Sequence, residues 1–369
     1  MPTSSTDGLP PMRLPFQPPV EPMLAKLARS IPDGGGWLYE PKWDGFRCVV
    51  FRDGDRIELM SRKLRPLGRY FPELLEPLAA ALPDRCIVDG EIVVADAQDR
   101  GLDFDALLQR IHPAESRIKR LAAETPAAFV AFDLLAQGDV SMTNDPMERR
   151  REALVAAVIA NEVVFVTPAT LDRAVADDWF HRFEGAGLDG IVAKPLDGTY
   201  QPGKRTLVKI KHQRTADCAV AGYRVHKDGN GVGSLLLGLF DDAGAMHSVG
   251  VAASFSATRR AELLEELEPR THDALDGHPW RSWAEWDGDT AGAATSGGSR
   301  WNAGKDLSFV PIRMGLVAEV SFGQLEGRRF RHGVGFLRWR PDRTPESCTY
   351  DQLDVAEPVS FQTFMAHPV

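Results

Sequence analysis

The stretch Lys42-Trp43-Asp44-Gly45-Phe46-Arg47 decides how the rest of the chain is read. An acid stands two places after Lys42, then Gly45, and Arg47 closes the run. Upstream, Leu38-Tyr39-Glu40-Pro41 reads as extended, because Pro41 disfavours helix at Glu40. Downstream, Phe46-Arg47-Cys48-Val49-Val50-Phe51 is rich in strand formers. Lys42 is thus expected at the mouth of a buried strand, where side-chain direction is fixed. A lysine can act as a nucleophile where partial burial and neighbouring cations weaken its hold on the proton. Alone, so short a pattern arises by chance, and a lone lysine at a strand start is ordinarily a solvated charge.

Working outward, other residues converge on this one. Asp53-Gly54 between two strand-like runs predicts a hairpin. Its return strand, Arg56 to Met60, delivers Ser61-Arg62 back beside Lys42. Cys86 to Val94 reads as the next strand, with Asp89 and Glu91 alternating among apolar residues, so that both carboxylates share a face. Acids in such a strand are costly to bury unless paired, so either the face is solvated or the acids serve a cleft. Ala128 to Leu135 reads as another buried strand, where Phe132 is ordinarily core. Leu188 to Lys194 places Asp189 at a strand entrance and Lys194 at its exit. Leu207-Val208-Lys209-Ile210-Lys211 reads as a strand with both lysines on one face, an arrangement that repels itself unless an anion lies between them.

The flanking regions differ in character. Residues 1–21 are proline-rich and read as an extended, partly disordered arm. Residues 22–213 alternate strands and helices. A boundary is expected near 212–215, and residues 214–369 read as short strands with a helix at Ala257 to Leu267, which suits an OB-fold barrel. Residues 287–299 are a low-complexity, flexible loop, and Trp280, Trp283 and Trp286 read as packing. The predicted fold class is α+β: a first domain of antiparallel sheets with flanking helices, then a β-barrel.

The 369 residues suffice for two or three domains, and 43% hydrophobic with 26% charged residues is ordinary for a soluble globular protein. No apolar run approaches the ~20 residues of a membrane span, and no secretory signal is evident. Four scattered cysteines lack zinc spacing and fit a reducing cytoplasm. A net charge of -9 argues against a polyanion partner when taken whole. Yet between Gly327 and Arg343 the chain carries Arg328, Arg329, Arg331, Arg338, Arg340 and Arg343 against Asp342 alone. The local field steers a polyanion more than the total does. A lysine nucleophile, adjacent arginines, acids for a cation and paired lysines together suit nucleotidyl transfer.

At this point the sequence resembles the ATP-dependent DNA ligases, of the short two-domain, ligase C-like kind of actinobacteria. The resemblance spans roughly residues 22–346 and rests on motifs in order: Lys42 to Arg47, Ser61-Arg62, Asp89-Gly90-Glu91, Phe132, Asp189 to Lys194, Lys209 with Lys211, and Arg338 to Arg343. It implies that Lys42 is adenylated, that Arg62 meets a phosphate or ribose, and that Glu91 meets the ribose and metal. It further implies that Phe132 stacks on adenine and that Asp189 binds metal. It implies too that Arg47, Lys209 and Lys211 bind the nucleotide, and Arg340 and Arg343 the pyrophosphate. Glu40 and Arg205 hold pocket-lining positions in relatives. Asp189 stands where glutamate is commoner, and Arg343 where lysine is usual.

The implied cofactors are ATP and Mg²⁺ or Mn²⁺. The implied setting is a cytoplasmic (nucleoid) monomer acting on nicked duplex DNA in repair, with repair polymerases as partners and no membrane. No DNA-encircling domain is evident before residue 22, so nick affinity is expected to be modest and salt-sensitive. RNA ligases and mRNA-capping guanylyltransferases share the lysine motif, but Gly68 to Leu74 and the arginine-rich end look like bacterial DNA ligases. Intact Lys42, Glu91, Lys209 and Lys211 argue against a non-catalytic OB-type binder with a relict first domain.

Overall fold

The computed structural model describes residues 10–98, 101–182, 188, 190–212, 214–285, 308–323, 325–330, 334–353 and 359–366. Asp189, Trp286, Arg331 and the 287–299 loop lie outside the described residues. The chain divides into two compact units. One comprises Met1–His212 with Ala356–Val369, the other Gln213–Val355.

The first unit runs β1 (Leu24–Ala28), β2 (Trp37–Pro41), β3 (Phe46–Asp53), β4 (Arg56–Ser61), α1 (Leu75–Ala81), β5 (Arg85–Val94), α2 (Phe104–Gln109), α3 (Glu115–Glu124), β6 (Ala127–Gln137), β7 (Val140–Ser141), α4 (Met147–Ala157), β8 (Val164–Val166), α5 (Arg173–Arg182), β9 (Ile191–Pro195) and β10 (Arg205–Ile210). One sheet has the order β4-β3-β5-β6-β7, with β8 also on β6, and the other β1-β10-β9-β2. The sheets are not wholly antiparallel, as the sequence reading had it: β1 with β10 and β6 with β8 pair in parallel. β1 and β10 lie far apart in the chain, which short-range patterning does not orient, whereas β6 reaches β8 by way of α4, the kind of crossover that sets strands parallel.

The hairpin at Asp53-Gly54 forms, with Cys48 opposite Ser61 at its open end. β3 is buried on both faces: Cys48 and Val50 join one apolar cluster with Val88, while Val49 and Phe51 join another with Ile87. The period of two thus serves two cores at once.

Two expectations are corrected here. From Pro10 onward the N-terminal arm is anchored, not disordered. Met12 is buried, Leu14, Phe16 and Val20 pack beside it, and Arg13 pairs with Asp53 at 2.9 Å. The apolar residues alternate between the prolines, so one face of an extended segment finds a core. The chain's last described helix, Phe361–Ala366, belongs to the first unit and not to the domain that the sequence reading carried to 369. Phe361 and Phe364 are buried in the cluster that holds Tyr39, Trp43 and Phe132. Burying each ring contributes roughly 1.5–3 kcal/mol.

In the second unit an antiparallel sheet runs in the order Met246–Ala253, Val232–Phe240, Arg214–Val225, Val317–Phe322, Gly335–Trp339. A bridge between Ala252 and Val334 links its two edges. Helix Ala257–Leu267 is capped by Ser256, whose side chain accepts from the Arg259 N–H, and it buries Leu263 and Leu267. Trp280 is buried and packs on Trp283 and Phe309.

Candidate active site

Between the end of β2 and the start of β3 the main chain carries Lys42 from one sheet to the other. The Lys42 N–H donates to the Gly190 carbonyl at 2.8 Å. Gly190 has φ +122°, and a Cβ there would lie 1.9 Å from the Ile210 oxygen, so only glycine fits. Gly45 is required for a similar reason: a Cβ would lie 2.2 Å from the Ile92 oxygen of β5. These two contacts seat the loop.

A cleft of about 170 Å³ opens beside Lys42, drawing its walls from both sheets. Of the residues singled out in the sequence, Glu40, Lys42, Arg47, Arg62, Glu91, Phe132, Arg205 and Lys209 all line it. Lys211 does not: β10 ends at Ile210, where its pairing with both β1 and β9 stops, so the two lysines do not share a strand face. Arg340 and Arg343 lie in the second unit. There Asp217 accepts from Arg340 Nη1 at 2.9 Å and from Arg343 Nη1 at 3.0 Å.

Arg47 is fixed from behind. Asp89, fully buried, accepts from its Nε and Nη2 at 2.6 Å each, and from the Tyr200 hydroxyl at 2.6 Å. Burial works against the charged guanidinium, but Asp89 more than offsets it, and the Arg47 pKa is raised. Asp89 is therefore the clamp behind the cleft, while Glu91, two residues on, faces it. The guanidinium lies 4.3 Å from the centre of the Phe132 ring, a cation–π contact.

Glu40 is buried, and its Oε2 pairs with Lys194 Nζ at 2.8 Å. Lys194 also donates to the Phe132 carbonyl at 2.9 Å and lies 4.8 Å from that ring. Burial pushes the Glu40 carboxyl up, against the pull of Lys194 and Arg151. Its Oε1 has no hydrogen-bond partner among the described residues, and Arg151 Nη1 lies 4.0 Å from it. Glu91 is half-buried, and burial pushes its carboxyl up to about 7, against Arg47 and Lys42.

Sequence reasoning missed Lys194, Arg151 and Tyr200 as site residues. Lys194 had a readable signal, a lysine inside an apolar strand. Its pairing with Glu40 did not, because the two meet through the β2–β9 register, in which Leu38 lies opposite Lys194 and Glu40 opposite Val192.

Among the described residues no group of three or more His, Cys, Asp or Glu is placed to hold a metal ion. No helix among them is long and apolar enough to cross a membrane.

The family described as ATP dependent DNA ligase domain matches residues 22–211, and that described as ATP dependent DNA ligase C terminal region matches residues 228–343. The chain is 56% identical over 352 residues to DNA ligase C of Mycobacterium tuberculosis, covering 93% of this chain and 96% of that protein. It is 56% identical over 346 residues to DNA ligase C2 of Mycolicibacterium smegmatis, with the same shares. A solved DNA ligase of the Lig E type is 17% identical with a TM-score of 0.53, covering 86% of this chain and 99% of that one, a likeness of fold. The chain belongs to the ATP-dependent DNA ligase family. It is an enzyme that uses ATP.

Proposed function

We propose that this ligase seals nicks in duplex DNA through an AMP held covalently on Lys42. The observation that carries this reading is the charge of the cleft. Six cationic side chains, Lys42, Arg47, Arg62, Lys194, Arg205 and Lys209, line it against two carboxylates, Glu40 and Glu91. Glu40 is already paired with Lys194, so the excess favours a polyphosphate. The unpartnered Glu40 Oε1 supports adenine as the base: the adenine exocyclic amine donates where guanine presents a carbonyl oxygen. Phe132 offers the apolar face on which a base stacks.

In the first step the Lys42 amine attacks the α-phosphorus of ATP. A nitrogen–phosphorus bond forms, the bond to the bridging oxygen breaks, and pyrophosphate leaves. Arg47, Arg62, Arg205 and Lys209 meet the charge that develops on the phosphate oxygens. Next, a 5′-phosphate oxygen of the nick attacks the same phosphorus, restoring the lysine and leaving AMP on the DNA. Finally the 3′-hydroxyl attacks the 5′-phosphorus, closing the strand and releasing AMP.

A divalent cation, when bound, neutralises phosphate charge. Mg²⁺ takes one or two carboxylates together with substrate phosphates and water, so a single carboxylate in the cleft is a sufficient donor set. Glu91 would hold it, because a carboxyl pushed up by burial stands where a cation relieves the cost of ionising. Asp189 is the second candidate.

The second unit reads as an OB-type barrel, supported by the Ala252–Val334 bridge between its sheet edges. Its Arg340 and Arg343 would engage pyrophosphate after leaving Asp217. The corresponding cellular setting is a cytoplasmic monomer in DNA repair, working beside repair polymerases.

Intact-mass spectrometry before and after incubation with ATP and Mg²⁺ tests the reading. One AMP is expected to add, to be lost on nicked DNA but not on nicked RNA, and to be absent in Lys42→Ala. No addition with any nucleotide, or an adduct that survives in Lys42→Ala, overturns it. Discharge by RNA alone moves the assignment to RNA ligation.

A further inference from the structure

The helix Phe361–Ala366 has six residues, too few to hold together in isolation. What it gains by docking is a specific aromatic contact. Phe361 and Phe364, three positions apart on one helix face, are 1% and 2% exposed. Both rings meet the indole of Trp43, Phe361 edge-on with centroids 5.9 Å apart and Phe364 tilted at 5.7 Å. Phe361 also meets Phe165 edge-on at 5.5 Å. The polar edge of the indole is fixed separately, with Trp43 Nε1 donating to Thr167 Oγ1 at 2.8 Å. The Thr167 carbonyl in turn accepts from Arg151 Nη2 at 2.7 Å.

Trp43 is the residue after Lys42. From Lys42 to Gly45 the main chain runs outside both sheets, so no ladder holds it. Among the contacts that hold it are the Lys42 N–H bond to Gly190, the close approach of Gly45 to Ile92 and the clamped indole of Trp43. Two of the groups that clamp the indole come from beyond the second unit in sequence. We propose that Phe361 and Phe364 are positioning residues for the nucleophile: by wedging Trp43 they hold Lys42 where it attacks the nucleotide. An unwedged indole leaves the loop to sample geometries in which the amine is off line, and small misplacements of a reacting atom are expensive in rate. This inference rests on the lysyl-AMP reading above.

The reaction itself separates positioning from mere packing. Lysyl-AMP formation uses the Lys42 amine, whereas sealing a nick that already carries AMP consumes no lysine. In the full chain, Phe361→Ala with Phe364→Ala is expected to slow single-turnover lysyl-AMP formation at saturating ATP by at least tenfold. The ATP concentration for half-maximal rate should move less than threefold, and sealing of a pre-adenylated nick should stay within threefold of wild type. Should the double alanine variant fail to fold, Phe361→Leu with Phe364→Leu keeps apolar bulk in the core while removing the ring contacts. It is expected to lose threefold or more in charging, with sealing retained. Charging at the wild-type rate in the folded variant, or charging and sealing that fall in equal proportion, overturns the proposal. A wild-type chain that takes up no AMP overturns the lysyl-AMP reading along with it. A wild type that charges while the variants match it overturns this inference alone.

Discussion

Asp89→Asn removes the charge from a fully buried carboxylate and leaves its three donors in place. The wild-type oxygens accept from Arg47 Nε and Nη2 and from the Tyr200 hydroxyl, all at 2.6 Å. Asparagine keeps one oxygen and turns the other position into an N–H donor, which faces the guanidinium in either orientation and the phenol as well when it replaces Oδ2. The Tyr200 oxygen, already accepting from the Met23 N–H at 3.1 Å, can absorb part of that change. Arg47 cannot, having no acceptor to offer. Breaking a buried ion pair by neutralising one partner costs roughly 3–5 kcal/mol. The Arg47 side chain is 22% exposed, so water recovers some of this and about 3 kcal/mol is expected. For a unit of this size that corresponds to a fall in melting temperature of about 6–12 °C.

The measurement is native-state hydrogen exchange read by mass spectrometry on peptides from β3 and β5, which isolates the first unit in the full chain. Protection there within 1 kcal/mol of wild type would refute the claim that Asp89 compensates a buried charge. Tyr200→Phe, which deletes one hydrogen bond to the same carboxylate and leaves the Met23 N–H without this acceptor, should cost about 2 kcal/mol.

Three further outcomes are expected. In the metal-free protein Glu91, at about 7 in the fold against an ordinary 4.5, keeps its proton longer folded than unfolded. Unfolding then releases a proton between those values, so stability falls as pH rises through that window, by up to about 1.4 kcal/mol per pH unit. Urea midpoints at pH 5, 6 and 7 should show this fall flattened in Glu91→Gln, and parallel curves would count against it. Gly190→Ala, forcing a Cβ to 1.9 Å from the Ile210 oxygen at a positive φ, should cost about 3 kcal/mol and slow charging of Lys42. A stable, fully active variant would show that this loop is not fixed as described. Asp217→Ala should destabilise the second unit by about 2 kcal/mol, because Arg340 and Arg343 lose a shared carboxylate that is only 9% exposed. Unchanged exchange in strands Arg214–Val225 and Val317–Phe322 would argue otherwise.

What the sequence disclosed was local, or local with one turn. Lys42 to Arg47 and the Asp53-Gly54 hairpin were readable because turn chemistry and a period of two act over a few residues, and the hairpin alone explains why Arg62 reaches the cleft of Lys42. Glu91, Phe132, Arg205 and Lys209 followed from their motifs. The pairing of Glu40 with Lys194 was not readable, since it depends on which strands become neighbours. Nor was Asp89's role, because its burial behind the cleft is set by Arg47 and Tyr200, which reach it from elements distant in the chain. Arg151 on α4 has the spacing of a solvated face and is drawn inward by the Thr167 carbonyl and the buried Glu40, both distant in the chain. The prolines of the arm hid the alternation of Met12, Leu14 and Phe16.

The return of Phe361 and Phe364 to the first unit has a consequence for biosynthesis. Domains fold largely in the order in which they leave the ribosome. Here the first unit's sheets are complete by Ile210, yet the cluster around Trp43 waits for residues made after the whole of the second unit. A nascent chain stalled anywhere in between carries the lysine and the cleft walls but not the wedge. Translation thus reaches the wedge only after the whole of the second unit has been made, and on the proposal above a chain stalled short of Phe361 is expected to charge Lys42 slowly.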